Sequence, residues 1–203
     1  MSVQINSIAI DIVLLPPDKV MQICKKINAK LWSQTKIGFP FDDTHLPHIS
    51  LMQQYVKTNQ LVEVGNVIEL IASKTKSLSL KITGIETEEF DGSNVSSFEI
   101  TKSAEILKLH ESLLQAMELY STTGDQKSWY QDPGEIIVDA ILDYTNSFRE
   151  KYSHDKFQPH ITLGFGPTPI FNQPLSFTAS RLAICRLGNN DTCRKILKEW
   201  VLK

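Results

Sequence analysis

One pentapeptide occurs twice in this chain of 203 residues and constrains the fold more than any other feature. Pro47-His48-Ile49-Ser50-Leu51 and Pro159-His160-Ile161-Thr162-Leu163 agree at four positions of five, and the remaining one exchanges one hydroxyl residue for another. Each copy opens on a proline, which cannot continue a helix, and runs into a strand-like segment. In a strand, residues i and i+2 share a face, roughly 6.5 Å apart at about 3.3 Å per residue. His48 and Ser50 therefore share one face above Ile49 and Leu51, and His160 and Thr162 repeat the arrangement above Ile161 and Leu163.

Two imidazole–hydroxyl couples facing one pocket suit a phosphodiester. Ser50 and Thr162 can donate to non-bridging phosphate oxygens. One neutral imidazole can take a proton from the attacking oxygen, and one imidazolium can protonate the leaving oxygen. Histidine serves both tasks because its ordinary pKa, about 6.5, lies near working pH. The candidate catalytic residues are thus His48 and His160, the candidate phosphate-binding residues Ser50 and Thr162, and the scheme calls for no metal and no cofactor. His110-Glu111-Ser112 supplies an internal control: it lies in a strongly helical pattern, where i and i+2 point about 200° apart, so it cannot form a same-face pair. His45 and His154 have no hydroxyl residue at the matching offset and are read as solvent-exposed.

Around the two motifs, strand and helix patterns alternate. Ser7 to Leu14 reads as a strand, ended by Pro16 and Pro17, and Asp18 opens a helix carried by Val20, Ile23, Cys24, Ile27 and Leu31. His48 to Tyr55 reads as a strand and Thr58 to Lys76 as a helix. Two strands, Ser79 to Phe90 and Val95 to Ile100, meet at Asp91-Gly92-Ser93-Asn94, a hairpin signal. Helices follow over Ser103 to Tyr120 and Glu135 to Tyr152, separated by a long polar segment holding Trp129 and Tyr130. Phe157 to Phe165 and Leu175 to Leu187 read as strands, and Thr192 to Leu202 as a last one. Hairpins among the helices point to antiparallel pairing and an α+β class.

Composition narrows the partners. With 41% hydrophobic and 22% charged residues the chain is of ordinary globular make-up, not disordered. A formal net charge of −2 leaves no basic excess for tracking a long phosphate backbone, so no extended nucleic-acid footprint is expected. No apolar run approaches the ~18 residues that span a bilayer, Asp11 interrupts the first apolar segment, and the N-terminus does not read as a signal peptide, so neither membrane nor export is expected. Three cysteines, with no Cys-x-x-Cys, fit a reducing cytoplasm better than a disulfide scaffold. Cys185 and Cys193 flank a turn and would be neighbours if strands pair across it, but the compartment rule favours free thiols. Aromatic residues beside the motifs (Phe41, Phe157, Trp129, Tyr130) are better read as core than as base-stacking platforms, and Arg149, Lys151 and Lys156 as solvated charges.

The paired His-x-Ser/Thr motifs in a chain of this length resemble the 2H phosphoesterase superfamily, which includes the bacterial and archaeal RNA 2',3'-cyclic phosphodiesterases, also called 2'-5' RNA ligases. The likeness extends over the whole chain in layout. It implies one bilobal domain over residues 1–203, built as two similar lobes of mainly antiparallel sheet with flanking helices around a central cleft, each lobe supplying one motif. It implies a metal-independent phosphodiesterase acting on a 2',3'-cyclic phosphate or a 2'-5' linkage, with reversible ligation as a companion activity. His160 is favoured as base and His48 as acid, an order the residues do not fix. The acidic balance favours a small nucleotide or short oligonucleotide as substrate, and a monomer is expected. The alternative is a non-catalytic module that holds phosphorylated nucleotide or RNA ends in the same cleft. Intact histidines argue against it, since binding alone can use Arg or Lys.

Overall fold

A computed structural model describes residues 6–171 and 173–203. The elements that position the motifs are eight strands and four α-helices among those residues. In chain order they are β1 (Ser7–Leu15), α1 (Asp18–Thr35), β2 (Ile49–Lys57), α2 (Leu61–Ala72), β3 (Leu78–Phe90), β4 (Ser93–Ile100), α3 (Ala104–Met117), α4 (Asp139–Lys151), β5 (His160–Phe165), β6 (Leu175–Ala179), β7 (Arg181–Gly188) and β8 (Thr192–Val201). They form two four-stranded sheets, β2-β1-β7-β8 and β5-β4-β3-β6, in which every pairing is antiparallel. The class is α+β in two lobes, as the alternation of patterns predicts.

The two motif strands, β2 and β5, are edge strands of different sheets and lie against one another. Their buried faces join a continuous core: Ile10, Ile12, Leu14, Ile49 and Leu51 from the first sheet meet Leu80, Ile82, Phe98, Ile161 and Leu163 from the second. Burial of so many aliphatic side chains, at about 25 cal/mol per Å² of apolar surface, holds the lobes together.

Both motif strands carry a β-bulge at the same place. Ile12 pairs with Met52 and Val13 with Ser50, so Leu51 is the extra residue on β2. Ser96 pairs with Gly164 and Ser97 with Thr162, so Leu163 is the extra residue on β5. A bulge disrupts the ladder locally and leaves backbone groups to be satisfied elsewhere. In each case a buried side chain from a neighbouring helix does this. Nδ1 of His110 on α3 donates to the Leu51 carbonyl at 2.6 Å, and Nδ2 of Asn28 on α1 donates to the Leu163 carbonyl at 2.9 Å. Asn28 also donates to the Phe39 carbonyl and accepts from the Phe41 amide, fixing the loop that leads into the first motif. Gly164, at φ +132°, leaves room for this amide, since a Cβ there would sit 2.9 Å from Asn28 Nδ2.

Four expectations need correction. Leu175 to Leu187 is not one strand: it breaks at Ser180, and its halves, β6 and β7, join different sheets. The helix expected from Glu135 begins only at Asp139. His45 is not free in solvent but stacks on Phe39 with ring centroids 5.5 Å apart and bonds to Asp42. Cys185 and Cys193 are disulfide-bonded, with Cα atoms 5.4 Å apart, because β7 and β8 do pair across the turn. The hairpin signal holds, with the turn tightened to Asp91 and Gly92, both at positive φ as a two-residue type I′ turn requires. Among the described residues no helix is long and apolar enough to cross a membrane.

His110 and Asn28 should therefore be worth more than ordinary buried polar residues. Asn28→Ala and His110→Phe each strand a buried bulge carbonyl, and each should lower the unfolding free energy by about 1–3 kcal/mol in urea titration. Unchanged midpoints would show that the bulges hold themselves.

Candidate active site

The sequence places each motif imidazole directly after a proline, and the residue before that proline sets its orientation. His48 Nδ1 lies 2.8 Å from the Leu46 carbonyl, and His160 Nδ1 lies 2.8 Å from the Gln158 carbonyl. A carbonyl only accepts, so each Nδ1 carries the proton, and Nε2 is left as the free, basic nitrogen of both rings. Leu46 is itself anchored, its amide donating to the Cys193 carbonyl on β8 at 3.3 Å.

The exposure pattern along the two motifs is the same: His48 and Ser50 are half-buried above buried Ile49 and Leu51, and His160 and Thr162 above buried Ile161 and Leu163. The rings are close enough that positive charge on His160 lowers the basicity of His48. Burial is the largest cause, opposed by the Leu46 carbonyl and joined by the weaker effect of His160, and it brings the His48 pKa down to about 4. His48 is accordingly neutral over the ordinary working range.

One residue at the site was read in the sequence only as a break in an apolar run. Asp11, fully buried on the interior strand β1, places Oδ2 at 2.5 Å from Ser50 Oγ and 3.6 Å from His48 Nε2. Gln53 Nε2 approaches the same oxygen at 3.4 Å, and Gln53 Oε1 accepts from Thr145 Oγ1 of α4 at 3.0 Å. The bulge at Leu51 makes this possible. It turns Met52 into the core and brings Ser50 and Gln53, three residues apart, to the same side of β2. Burial raises the Asp11 carboxyl well above the usual carboxylate range, outweighing its hydrogen bonds to Ser50 and Gln53. With the imidazole neutral, the 3.6 Å approach is not an ion pair.

The remaining candidates take structural places. Trp129 is buried, its Nε1 donating to Tyr55 Oη at 3.0 Å, and Phe157 stacks on His110 at 4.0 Å. Tyr130 lies between the guanidinium groups of Arg186 and Arg194, and Arg149 donates to the Leu114 carbonyl. An open surface concavity of about 520 Å³, lined by residues including Lys108, Glu111, Arg149 and His154, lies apart from both motifs. Among the described residues, no group of three or more His, Cys, Asp and Glu is placed to hold a metal ion.

This architecture has known relatives. A family model described as the 2'-5' RNA ligase superfamily matches residues 25–191, a span that includes both motifs. The chain belongs to that superfamily. Among solved structures it is similar to TT0787 of Thermus thermophilus, at 16% identity over 96% of this chain and 98% of that one, with a TM-score of 0.58. It is also similar to E. coli LigT complexed with phosphate, at 16% identity over 98% of this chain and 99% of that one, with a TM-score of 0.53. LigT complexed with 3'-AMP gives 14% identity over the same shares and a TM-score of 0.54. At these identities the likeness is one of fold. A comparison with curated protein sequences finds no match.

The charge state of the turn between β7 and β8 gives a stability test. Asp191, at φ +52°, has its Oδ1 buried with no hydrogen-bond partner among the described residues, and burial raises its pKa from 3.8 to about 8. The folded state thus holds a proton that the unfolded chain releases, so its contribution is intact below 3.8 and is lost as pH rises to about 8. Asp191→Asn, which suits a left-handed backbone, should be more stable than the parent at neutral pH by more than about 1 kcal/mol, the gap vanishing at acid pH. Equal stability across that range, by urea titration, would contradict it.

Proposed function

We propose that this protein is a two-histidine phosphodiesterase of nucleoside 2',3'-cyclic phosphates or 2'-5' linkages in mononucleotides and short oligonucleotides. The observation that carries this reading is the shared lock on the two imidazoles: each Nδ1 is held by the carbonyl two residues upstream, freeing both Nε2 atoms on adjoining edge strands. That is the equipment of a general acid facing a general base.

The burial of His48 favours it as the base in hydrolysis, the reverse of the order favoured by resemblance. A neutral His48 Nε2 takes a proton from water as the water oxygen bonds to phosphorus. The bond from phosphorus to one ribose oxygen breaks, and His160, entering as imidazolium, protonates that oxygen. Ser50 and Thr162 hold the non-bridging oxygens as charge builds on them. The negative charge of a bound phosphodiester opposes the effect of burial and raises the basicity of His48 toward a useful value. With the 5'-hydroxyl of a second nucleotide in place of water, the same groups open the cyclic phosphate to a 2'-5' linkage. The hydroxyl gives its proton to His48 as its oxygen bonds to phosphorus, the bond from phosphorus to O3' breaks, and His160 protonates O3'. No step in the scheme calls on a metal.

The binding of phosphate and 3'-AMP by LigT, a structural neighbour, supports a small phosphorylated ligand here. So does the chain's net charge of −2, which argues against a long polyanion. His48→Ala and His160→Ala should each reduce kcat on a nucleoside 2',3'-cyclic phosphate, assayed with EDTA present, by at least about a hundred-fold. Thr162→Val should raise KM as well. Full turnover by either histidine variant removes the acid–base roles. Tight binding with no product from the parent protein would mark a recognition module instead.

A further inference from the structure

Between Ser50 Oγ and Asp11 Oδ2 there is one short hydrogen bond, 2.5 Å long, and it holds one proton. Which oxygen supplies that proton decides what Ser50 can do for a ligand. If Asp11 is a carboxylate, it only accepts, so Ser50 must donate inward and turns lone pairs toward any bound phosphate. If Asp11 is a carboxylic acid, it donates to Ser50 Oγ, and the hydroxyl proton is free to point at a phosphate oxygen.

We propose that Asp11 is a proton-holding positioning residue, which makes Ser50 a phosphate donor only while its own Oδ2 is protonated. The proposal rests on the phosphodiesterase reading above for its substrate, and on the geometry of β1 and β2 for its mechanism. Asp11 is fully buried on an interior strand, Oδ1 has no hydrogen-bond partner among the described residues, and Oδ2 meets Ser50 far more closely than it meets Gln53 or His48.

The groups facing Asp11 pull both ways, and burial is the largest influence among them. Asp191, in the turn after β7, disfavours a negative charge on Asp11 once it is itself ionised, above about pH 8, and the Tyr144 hydroxyl on α4 is coupled to both carboxyls. Cys185, its partner across the β1–β7 ladder, is held in a disulfide and does not titrate. Hydrogen bonds from Ser50, Gln53 and the Met52 backbone favour a carboxylate, but burial outweighs them, and His48 would add to them only as an imidazolium, a form that burial and His160 oppose. Burial itself raises the Asp11 pKa, consistent with a retained proton. The second motif has no counterpart: Thr162 has no hydrogen-bond partner for its hydroxyl among the described residues and stands opposite Ser97 on β4. The two phosphate-binding hydroxyls are thus controlled differently, one by a titrating carboxyl and one not.

Asp11→Asn is the decisive variant, because an amide Nδ2 donates to Ser50 as the protonated acid does but never loses that proton. With a nucleoside 2',3'-cyclic phosphate as substrate, it should keep kcat/KM within about five-fold of the parent, whereas Asp11→Ala should lose at least about ten-fold. In the parent the alkaline limb of log kcat/KM should contain two ionisations, those of Asp11 and of the acid imidazole, and fall with a slope near −2. In Asp11→Asn it should fall with a slope near −1. Ser50→Ala should show the same single-ionisation limb, which keeps the test intact if Asp11→Asn does not fold. Calorimetric binding of sulfate, whose charge is constant over the assay range, reads the same switch without turnover. Affinity should weaken with rising pH more steeply in the parent than in Asp11→Asn, even if no cyclic phosphate is cleaved, so failure of the functional reading is distinguishable. Superimposable pH profiles, or an Asp11→Asn variant as impaired as Asp11→Ala at every pH, would overturn the proposal. A loss of that kind would mean an ionised Asp11 paired with a charged His48.

Discussion

The structure depends on two carbonyl groups that leave their ladders and are caught by buried side chains. At Leu51 and at Leu163 the motif strand takes in one extra residue, and the freed carbonyl is bonded by His110 from α3 or Asn28 from α1. An unsatisfied buried carbonyl costs on the order of 1–3 kcal/mol, so a bulge in a dry core persists only with such a partner. On β2, the consequence is chemical: the bulge directs Ser50 and Gln53 to one side, where both reach Asp11. His110 is also held by the His154 amide and by stacking on Phe157, so it links the first motif strand to the segment leading into the second.

The electrostatics of the site follow from the same burial. Charge on His48 and on Asp11 is opposed by desolvation, which disfavours a salt link between them. Such a pair does not attract anions from a distance. On the proposed reading, it becomes effective only when a phosphate is seated between the strands, where the anion itself restores basicity to His48. A substrate with one phosphate suits this arrangement better than a chain of them.

Much of this was legible in the sequence because it rests on short-range rules. Proline before histidine, alternation in Ile49-Ser50-Leu51, and Asp91-Gly92 at a two-residue turn are local signals, and the structure follows them. Asp11 was visible as a charge inside an apolar run, but its meaning needed the pairing of β1 with β2, and the bulge that brings Ser50 round to it. His110 was correctly set aside as a helical residue, yet its purpose, capping Leu51, depends on a contact 59 residues away. Asn28 reaches Leu163 across 135 residues. The cysteine pair misled for a different reason: the compartment rule says nothing of geometry, and the pairing of β7 with β8 across a short turn brings Cys185 and Cys193 within 5.4 Å of one another between Cα atoms.

The claim on which the rest stands is that both imidazoles address one phosphorus. Histidine-selective ¹⁵N NMR during a titration with inorganic phosphate tests it most directly. Both rings should begin with Nδ1 protonated and Nε2 bare, and the His48 and His160 signals should move together along a single saturation curve. Movement of one ring alone, or two curves of different affinity, would mean that the motifs do not share a ligand.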